Sequence, residues 1–145
     1  MYEVIPQLLW IGNAMDARNP RLVLDADIAA VVDLAYEEPP AQLPRQLIYC
    51  RFPLLDGVGN EPTHLRLAVD AVLRLLVART PTLVACSAGM NRSPIIVAVA
   101  LAMIRNEPAD RVLQQLVESR PHDVSGGLWD DVLRATEMVA GTPDE

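Results

Sequence analysis

The stretch Val84-Ala85-Cys86-Ser87-Ala88-Gly89-Met90-Asn91-Arg92-Ser93-Pro94 decides the fold of this chain. Thr82-Leu83-Val84-Ala85 is short and apolar and follows the breaker Thr80-Pro81, which reads as a buried strand. From Ser93 onward the pattern is helical, with Pro94 tolerated in the first turn. Strand, tight loop and helix in that order point to an α/β sheet, and sites in such sheets form at the carboxyl ends of strands. Cys86 stands at such an end. The N–H groups of the loop can turn inward around an anion, and the dipole of the following helix adds to that field. Gly89 permits a turn that a side chain would obstruct. Arg92, six residues after Cys86, can fold back and clamp two phosphate oxygens. The same positive surroundings favour the thiolate of Cys86, and a thiolate facing a bound phosphate is placed for attack at phosphorus. Ser87, Ala88, Gly89, Met90, Asn91 and Arg92 are therefore the expected phosphate-binding residues. The competing reading is an inert cysteine at a strand end with Arg92 on the surface.

Outward from this loop, Glu61 to Ala78 has the clearest amphipathic pattern. Leu65, Val69, Val72 and Leu76 share one face at helical spacing. Asn60 is the expected N-cap, and Arg66, Asp70 and Arg74 alternate in sign along another face. Leu8-Leu9-Trp10-Ile11 before Gly12-Asn13, Ala29 to Leu34, and Leu47 to Cys50 running on to Phe52-Pro53 read as strands. Arg18 to Asp25 reads as a short helix. Ala109 to Ser119 and Leu128 to Ala140 read as helices separated by Arg120-Pro121 and Gly126-Gly127, and Gly141 to Glu145 as a fraying tail. The order predicts an α/β domain with a central, partly parallel sheet of about four or five strands flanked by helices.

The chain has 145 residues, half of them apolar, so one domain spanning 1–145 with its own core is expected. A net charge of −7 disfavours nucleic acid and anionic membrane as partners. The longest apolar stretch, Pro94 to Ile104, is too short to span a bilayer, and the N-terminus lacks the basic start and apolar run of a signal peptide. Two cysteines are too few for a disulfide scaffold, which favours a cytoplasmic, reducing compartment. Cys50 reads as a core residue, with a regulatory disulfide to Cys86 as the alternative. Trp10 and Trp129 read as core or interface aromatics, and His64 as a surface residue. No ligand spacing for a metal is present, and no cofactor is expected.

The Cys86 to Arg92 loop resembles the active-site signature of the cysteine-based protein tyrosine phosphatases, and more of the chain is similar to their compact dual-specificity branch. Leu9-Trp10-Ile11-Gly12-Asn13-Ala14, Val31-Val32-Asp33-Leu34 and Ile48-Tyr49-Cys50 resemble its core strands. Phe52-Pro53-Leu54-Leu55-Asp56 resembles its acid loop, and Arg120-Pro121 the pair after its late helix. The resemblance implies a two-step hydrolysis through phosphocysteine. Cys86 would be the nucleophile, Arg92 the phosphate clamp and Asp56 the acid and then the base. Ser93 would stabilise the departing thiolate. Asp56-Gly57 is also a turn signal, and Ser93 also suits a helix N-cap.

The family usually carries His before the nucleophile, where this chain has Ala85. Its usual Pro-Asn after the Arg-Pro pair is also absent, and His122-Asp123-Val124-Ser125 stands there. The implied partner is a phosphorylated protein (phosphotyrosine, phosphoserine or phosphothreonine) or a small phosphate ester. The loop has no lysine for highly phosphorylated lipids. Two rivals remain: a phosphate-binding module without catalysis, favoured by Ala85, and a rhodanese-type sulfurtransferase, disfavoured by Asp56 and the Arg92-Ser93 ending.

Overall fold

The computed structural model describes residues 1–118 and 120–138. Its strands are β1 (Tyr2–Ile5), β2 (Leu9–Gly12), β3 (Ala30–Ala35), β4 (Ile48–Leu54) and β5 (Thr82–Ala85). Its helices are α1 (Ala14–Ala17), α2 (Pro20–Asp25), α3 (Pro62–Val77), α4 (Arg92–Arg105), α5 (Ala109–Val117) and α6 (Gly126–Ala135). The strands form one five-stranded sheet in the order β1-β2-β5-β3-β4. β5 is central and parallel to β2 and β3, β4 is parallel to β3, and β1 alone is antiparallel. The expected partly parallel α/β sheet is the one formed.

Side chains alternate across β5. Leu83 and Ala85 face a smaller cluster with Trp10, Ala17, Val23, Ile28 and Val31. Val84 and Cys86 face the main core, where Leu65, Val69 and Val72 of α3 meet Ile95, Ile96 and Leu101 of α4. α4 is buried from Arg92 through Ala102, as a helix wrapped by other elements must be. Each buried Leu, Ile or Val contributes about 1.5–3 kcal/mol, so this helix is the main anchor of the loop before it. Ala85 pairs with Gly12 on one side and Asp33 on the other. The carboxyl ends of β2, β3, β4 and β5 thus share one edge of the sheet.

Several local expectations are corrected. The short β1 carries too few residues for a pattern and exists because β2 offers it an edge. The short helix expected over Arg18 to Asp25 is formed but starts at Pro20, which bars helix at its cap Asn19, and a separate turn of helix capped by Asn13 precedes it. Asn60 is not the N-cap of α3; Glu61 holds that position without a side-chain bond, and Asn60 is used elsewhere. Arg66 faces Glu137 at 3.8 Å rather than Asp70. Gly126-Gly127 opens α6 rather than separating helices; a Cβ on Gly127 would come within 2.6 Å of Val58. The last helix ends at Ala135 with Thr136 as its C-cap, short of the expected Ala140; Ser119, Ala140 and the tail Gly141 to Glu145 lie outside the described residues. Among the described residues no helix is long and apolar enough to cross a membrane.

Candidate active site

The Cys86 to Arg92 loop is built on two glycines. Gly89 has φ +75°, and a Cβ there would sit 2.8 Å from the Gly12 carbonyl oxygen. Only glycine lets the loop lie this close to the end of β2. Cys86 N–H donates to Gly12 O at 3.4 Å, and Ala14 N–H donates to Ser87 O at 3.2 Å. Among the described residues, the N–H groups of Ser87, Ala88, Gly89, Met90 and Asn91 find no protein acceptor. A run of N–H groups free in this way, before the positive end of α4, is suited to an anion. They border a cavity of about 60 Å³ lined by Cys86, Ser87, Ala88, Met90, Asn91 and Arg92, with Asp56 and Asp123 at its walls. Gly89 is the one expected loop residue outside that lining.

Arg92 is 1 % exposed, and its guanidinium is oriented from behind. Nη1 donates to Glu37 Oε1 at 2.7 Å and to Leu54 O at 2.8 Å, and Nη2 donates to Glu37 Oε2 at 2.7 Å. The Nε–H has no hydrogen-bond partner. The fork therefore keeps one edge, Nε and the second Nη2 proton, for a ligand. Burial disfavours the Arg92 charge, but the bonds to Glu37 and the charges of Cys86, Glu37 and Asp56 outweigh it, and the guanidinium is held protonated beyond its usual range. The Arg92 bonds pull the Glu37 carboxyl down to about 2, against its burial and helped by the Ser87 hydroxyl. Ser87 Oγ is bonded to Glu37 at 2.6 Å and Glu38 at 3.1 Å.

The loop with these glutamates is clamped from below. Buried Asp33 accepts from Tyr49 Oη at 2.6 Å and from Arg18 Nη2 at 3.2 Å, with Arg51 Nη1 at 3.5 Å. Arg51 Nη2 donates to the carbonyls of Ala35, Tyr36 and Glu38, and Arg18 donates to that of Pro39. Tyr49 Oη accepts from Ala41 N–H.

Asp56 follows β4 and reaches the cavity. Its Oδ1 accepts from Asn91 Nδ2 at 2.8 Å and lies 3.5 Å from Arg92 Nε. Asn60 staples the loop, accepting from Leu55 N–H at 2.7 Å and donating to the carbonyls of Leu55 and Gly57. Asn91 Oδ1 accepts from Ser125 N–H at 2.8 Å, and Met90 O accepts from Asp123 N–H at 2.8 Å. Ser93 is fully buried, and its hydroxyl bonds neither Cys86 nor any other described group, so it is a free donor behind the loop.

The structure thus brings Cys86, Arg92 and Asp56 to one cavity and buries Ser93 beside it. Glu37, Glu38, Asp123 and Ser125 are additions that the sequence reading missed. The signal for Glu37-Glu38 was available: a charged pair just past the carboxyl end of a buried parallel strand, the same position that marks Cys86 and Asp56. Ala85 is fully buried and packed, so no unfilled space stands where the resemblance would put histidine. The Cys50–Cys86 disulfide is excluded in this fold. Cys50 pairs with Val32, which pairs with Val84, so two strand spacings of about 4.8 Å and two further residues along the chain separate it from Cys86, beyond the roughly 7 Å that a disulfide can bridge. Both thiols are free, and burial pushes that of Cys50 up, away from the reactive form.

No protein-family model matches the chain. Mouse dual specificity phosphatase 28 is 28% identical over 123 residues, covering 83% of this chain and 75% of the relative. The crystal structure of human DUSP28 superposes with a TM-score of 0.80 at 22% identity, over 94% of this chain and 96% of that one. That of a mouse putative dual specificity phosphatase complexed with zinc tungstate gives 0.76 at 25% identity, over 94% and 91%.

Proposed function

We propose that this chain, a member of the dual-specificity branch of the cysteine-based protein tyrosine phosphatases, hydrolyses phosphate monoesters on proteins within one catalytic domain spanning 1–145. The observation that carries the reading is the buried Nε edge of Arg92, which makes no hydrogen bond and has only Asp56 Oδ1 near it at 3.5 Å, beside a run of free loop N–H groups and Cys86. The related mouse protein forms a complex with zinc tungstate, and tungstate is a tetrahedral oxyanion like phosphate, which is in keeping with this reading.

The phosphate rests on the N–H groups of Ser87 to Asn91 and on the free edge of Arg92. The Cys86 sulfur forms a bond to phosphorus as the ester P–O bond breaks. Asp56, protonated in the complex, gives its proton to the leaving oxygen. Water then attacks the phosphocysteine and loses a proton to the Asp56 carboxylate, and the S–P bond breaks. The Ser93 hydroxyl donates to the departing thiolate. Stabilising the equatorial oxygens with donors already in place is the main contribution to rate.

A protein side chain is favoured over lipid or nucleic acid as the bearer of the phosphate. Asp56 and Asp123 wall the cavity, and its one lining cation is Arg92. A substrate with several phosphates would meet carboxylates there. A cytoplasmic, reducing compartment suits a mechanism that needs a free thiol.

The second reading is a phosphate-binding module of little activity, favoured by Ala85 where the family usually carries histidine. Hydrolysis of a generic aryl phosphate by wild type, Cys86→Ser and Asp56→Asn separates the two. Turnover by wild type that is abolished in Cys86→Ser and reduced in Asp56→Asn is the expected result. Tungstate binding with no turnover above the Cys86→Ser background would leave the binding module.

A further inference from the structure

We propose that Asn91 is a positioning residue for the acid, tying the Asp56 loop to the phosphate cradle and to the start of α6. The inference rests on the phosphatase reading with Asp56 as proton donor. Asn91 occupies the N-cap position of α4, where an asparagine ordinarily caps the helix through its side chain, yet its side chain makes no cap bond. Both ends of the amide are used elsewhere. Nδ2 donates to Asp56 Oδ1 at 2.8 Å and approaches Ser125 Oγ at 3.4 Å, while Oδ1 accepts from Ser125 N–H at 2.8 Å. One side chain thus joins three segments that are remote in sequence. The Asn91 residue is 8 % exposed, whereas the Asp56 side chain is 57 % exposed, so the amide is held by packing and the acid is held by few contacts besides it. A second contact reinforces the tie: Val58 of the acid loop packs on Gly127 of α6, where even a Cβ would not fit.

The chemistry suits an acid better than a cation would. Asn91 is neutral, so it orients the carboxyl without adding to the positive charge that Arg92 Nε already sets 3.5 Å from the same oxygen. It engages Oδ1 only, and Oδ2 has no partner among the described residues. Oδ2 is then the oxygen that carries the proton to the leaving group. Without the amide, Asp56 would sample several rotamers of an exposed loop, and the fraction aimed at the leaving oxygen would fall.

The test is a series of aryl phosphates of graded leaving-group pKa, with wild type, Asn91→Ala, Asn91→Asp, Asp56→Asn and the Asp56→Asn/Asn91→Ala double variant. Asn91→Ala is expected to lower kcat about tenfold for phenyl phosphate and phosphotyrosine and much less for activated esters, the pattern of a misplaced acid. Asn91→Asp keeps size and the acceptor for Ser125 N–H, but loses the donor to Asp56 and sets a second carboxylate against it, and should steepen the leaving-group dependence at least as much. The double variant should lose no more than Asp56→Asn alone. Equal loss across the series, an Asn91→Asp variant that matches wild type, or additive losses in the double variant would overturn the inference while leaving the phosphatase intact. No turnover of any ester by wild type would instead overturn the phosphatase reading, and this inference with it.

Discussion

The two terminal nitrogens of Arg92 each lie 2.7 Å from a carboxylate oxygen of Glu37. The pair spans 55 residues of chain and aims a buried guanidinium. With Nη1 satisfied twice and Nη2 once, the edge left over is the one that faces the cavity. The ion pair is thus a device for presenting Arg92, and its contribution should be visible both in stability and in substrate binding.

Glu37→Gln should raise KM for a phosphate ester about tenfold by letting the guanidinium turn. The stability effect follows from the depressed carboxyl, about 2 against an ordinary 4.5. A depressed folded value means stabilisation that is full above the unfolded value and lost as pH falls through the folded one. Wild type minus variant should therefore be flat above about pH 5 and shrink between 4.5 and 2. Because the Glu37 side chain is 49 % exposed, solvent screening holds the plateau to about 1 kcal/mol. Urea unfolding at a series of pH values reads it; a plateau that persists unchanged to pH 2 contradicts it.

Gly89→Ala should destabilise by about 1–2 kcal/mol from backbone conformation alone. The added carbon also meets the Gly12 carbonyl at 2.8 Å and must push the loop inward. Tungstate affinity, measured by calorimetry, should fall with it. Retained affinity would mean that the loop can reposition freely.

Ala85→His restores the residue the family usually has, but here the site is filled by Trp10, Ala17 and Val31. Overpacking predicts a loss of about 1–3 kcal/mol. We expect no gain in kcat/KM. An unchanged unfolding midpoint with faster turnover would show that the small cluster has room to spare.

Asp33→Ala should be the most destabilising of these changes, by about 3–5 kcal/mol, because a nearly buried carboxylate leaves Arg18 and Arg51 without their shared acceptor. Asp33→Asn, which keeps an acceptor for Tyr49, should lose less. Chemical denaturation of the two variants orders them.

Asn60→Ala removes three bonds inside the acid loop. They are partly solvent-exposed, so stability should change by no more than about 1 kcal/mol. Turnover of esters with poor leaving groups should nonetheless fall about fivefold, because the acid is less well placed. Equal kinetics with wild type would make the staple irrelevant to the site.

The sequence by itself determined the chemistry that is local along the chain. Strand, loop and helix around Cys86 are read from apolar runs, a breaker and a glycine between Thr80 and Pro94, and the Cys86-to-Arg92 spacing lies inside that unit. The amphipathic face of Leu65, Val69, Val72 and Leu76 and the α/β class follow from the same short-range periodicity. Tertiary structure alone decided how those groups are aimed. Asn60 is a plausible cap on paper and a loop staple in space, and Asn91 gives up its cap for Asp56 and Ser125. Glu37 meets Arg92 only because β3 and β5 lie side by side and end at the same edge. Partners 34 to 55 residues apart leave no periodic trace in the chain. Their pairing is set by which strands are neighbours, a property of the packed sheet that no local window contains.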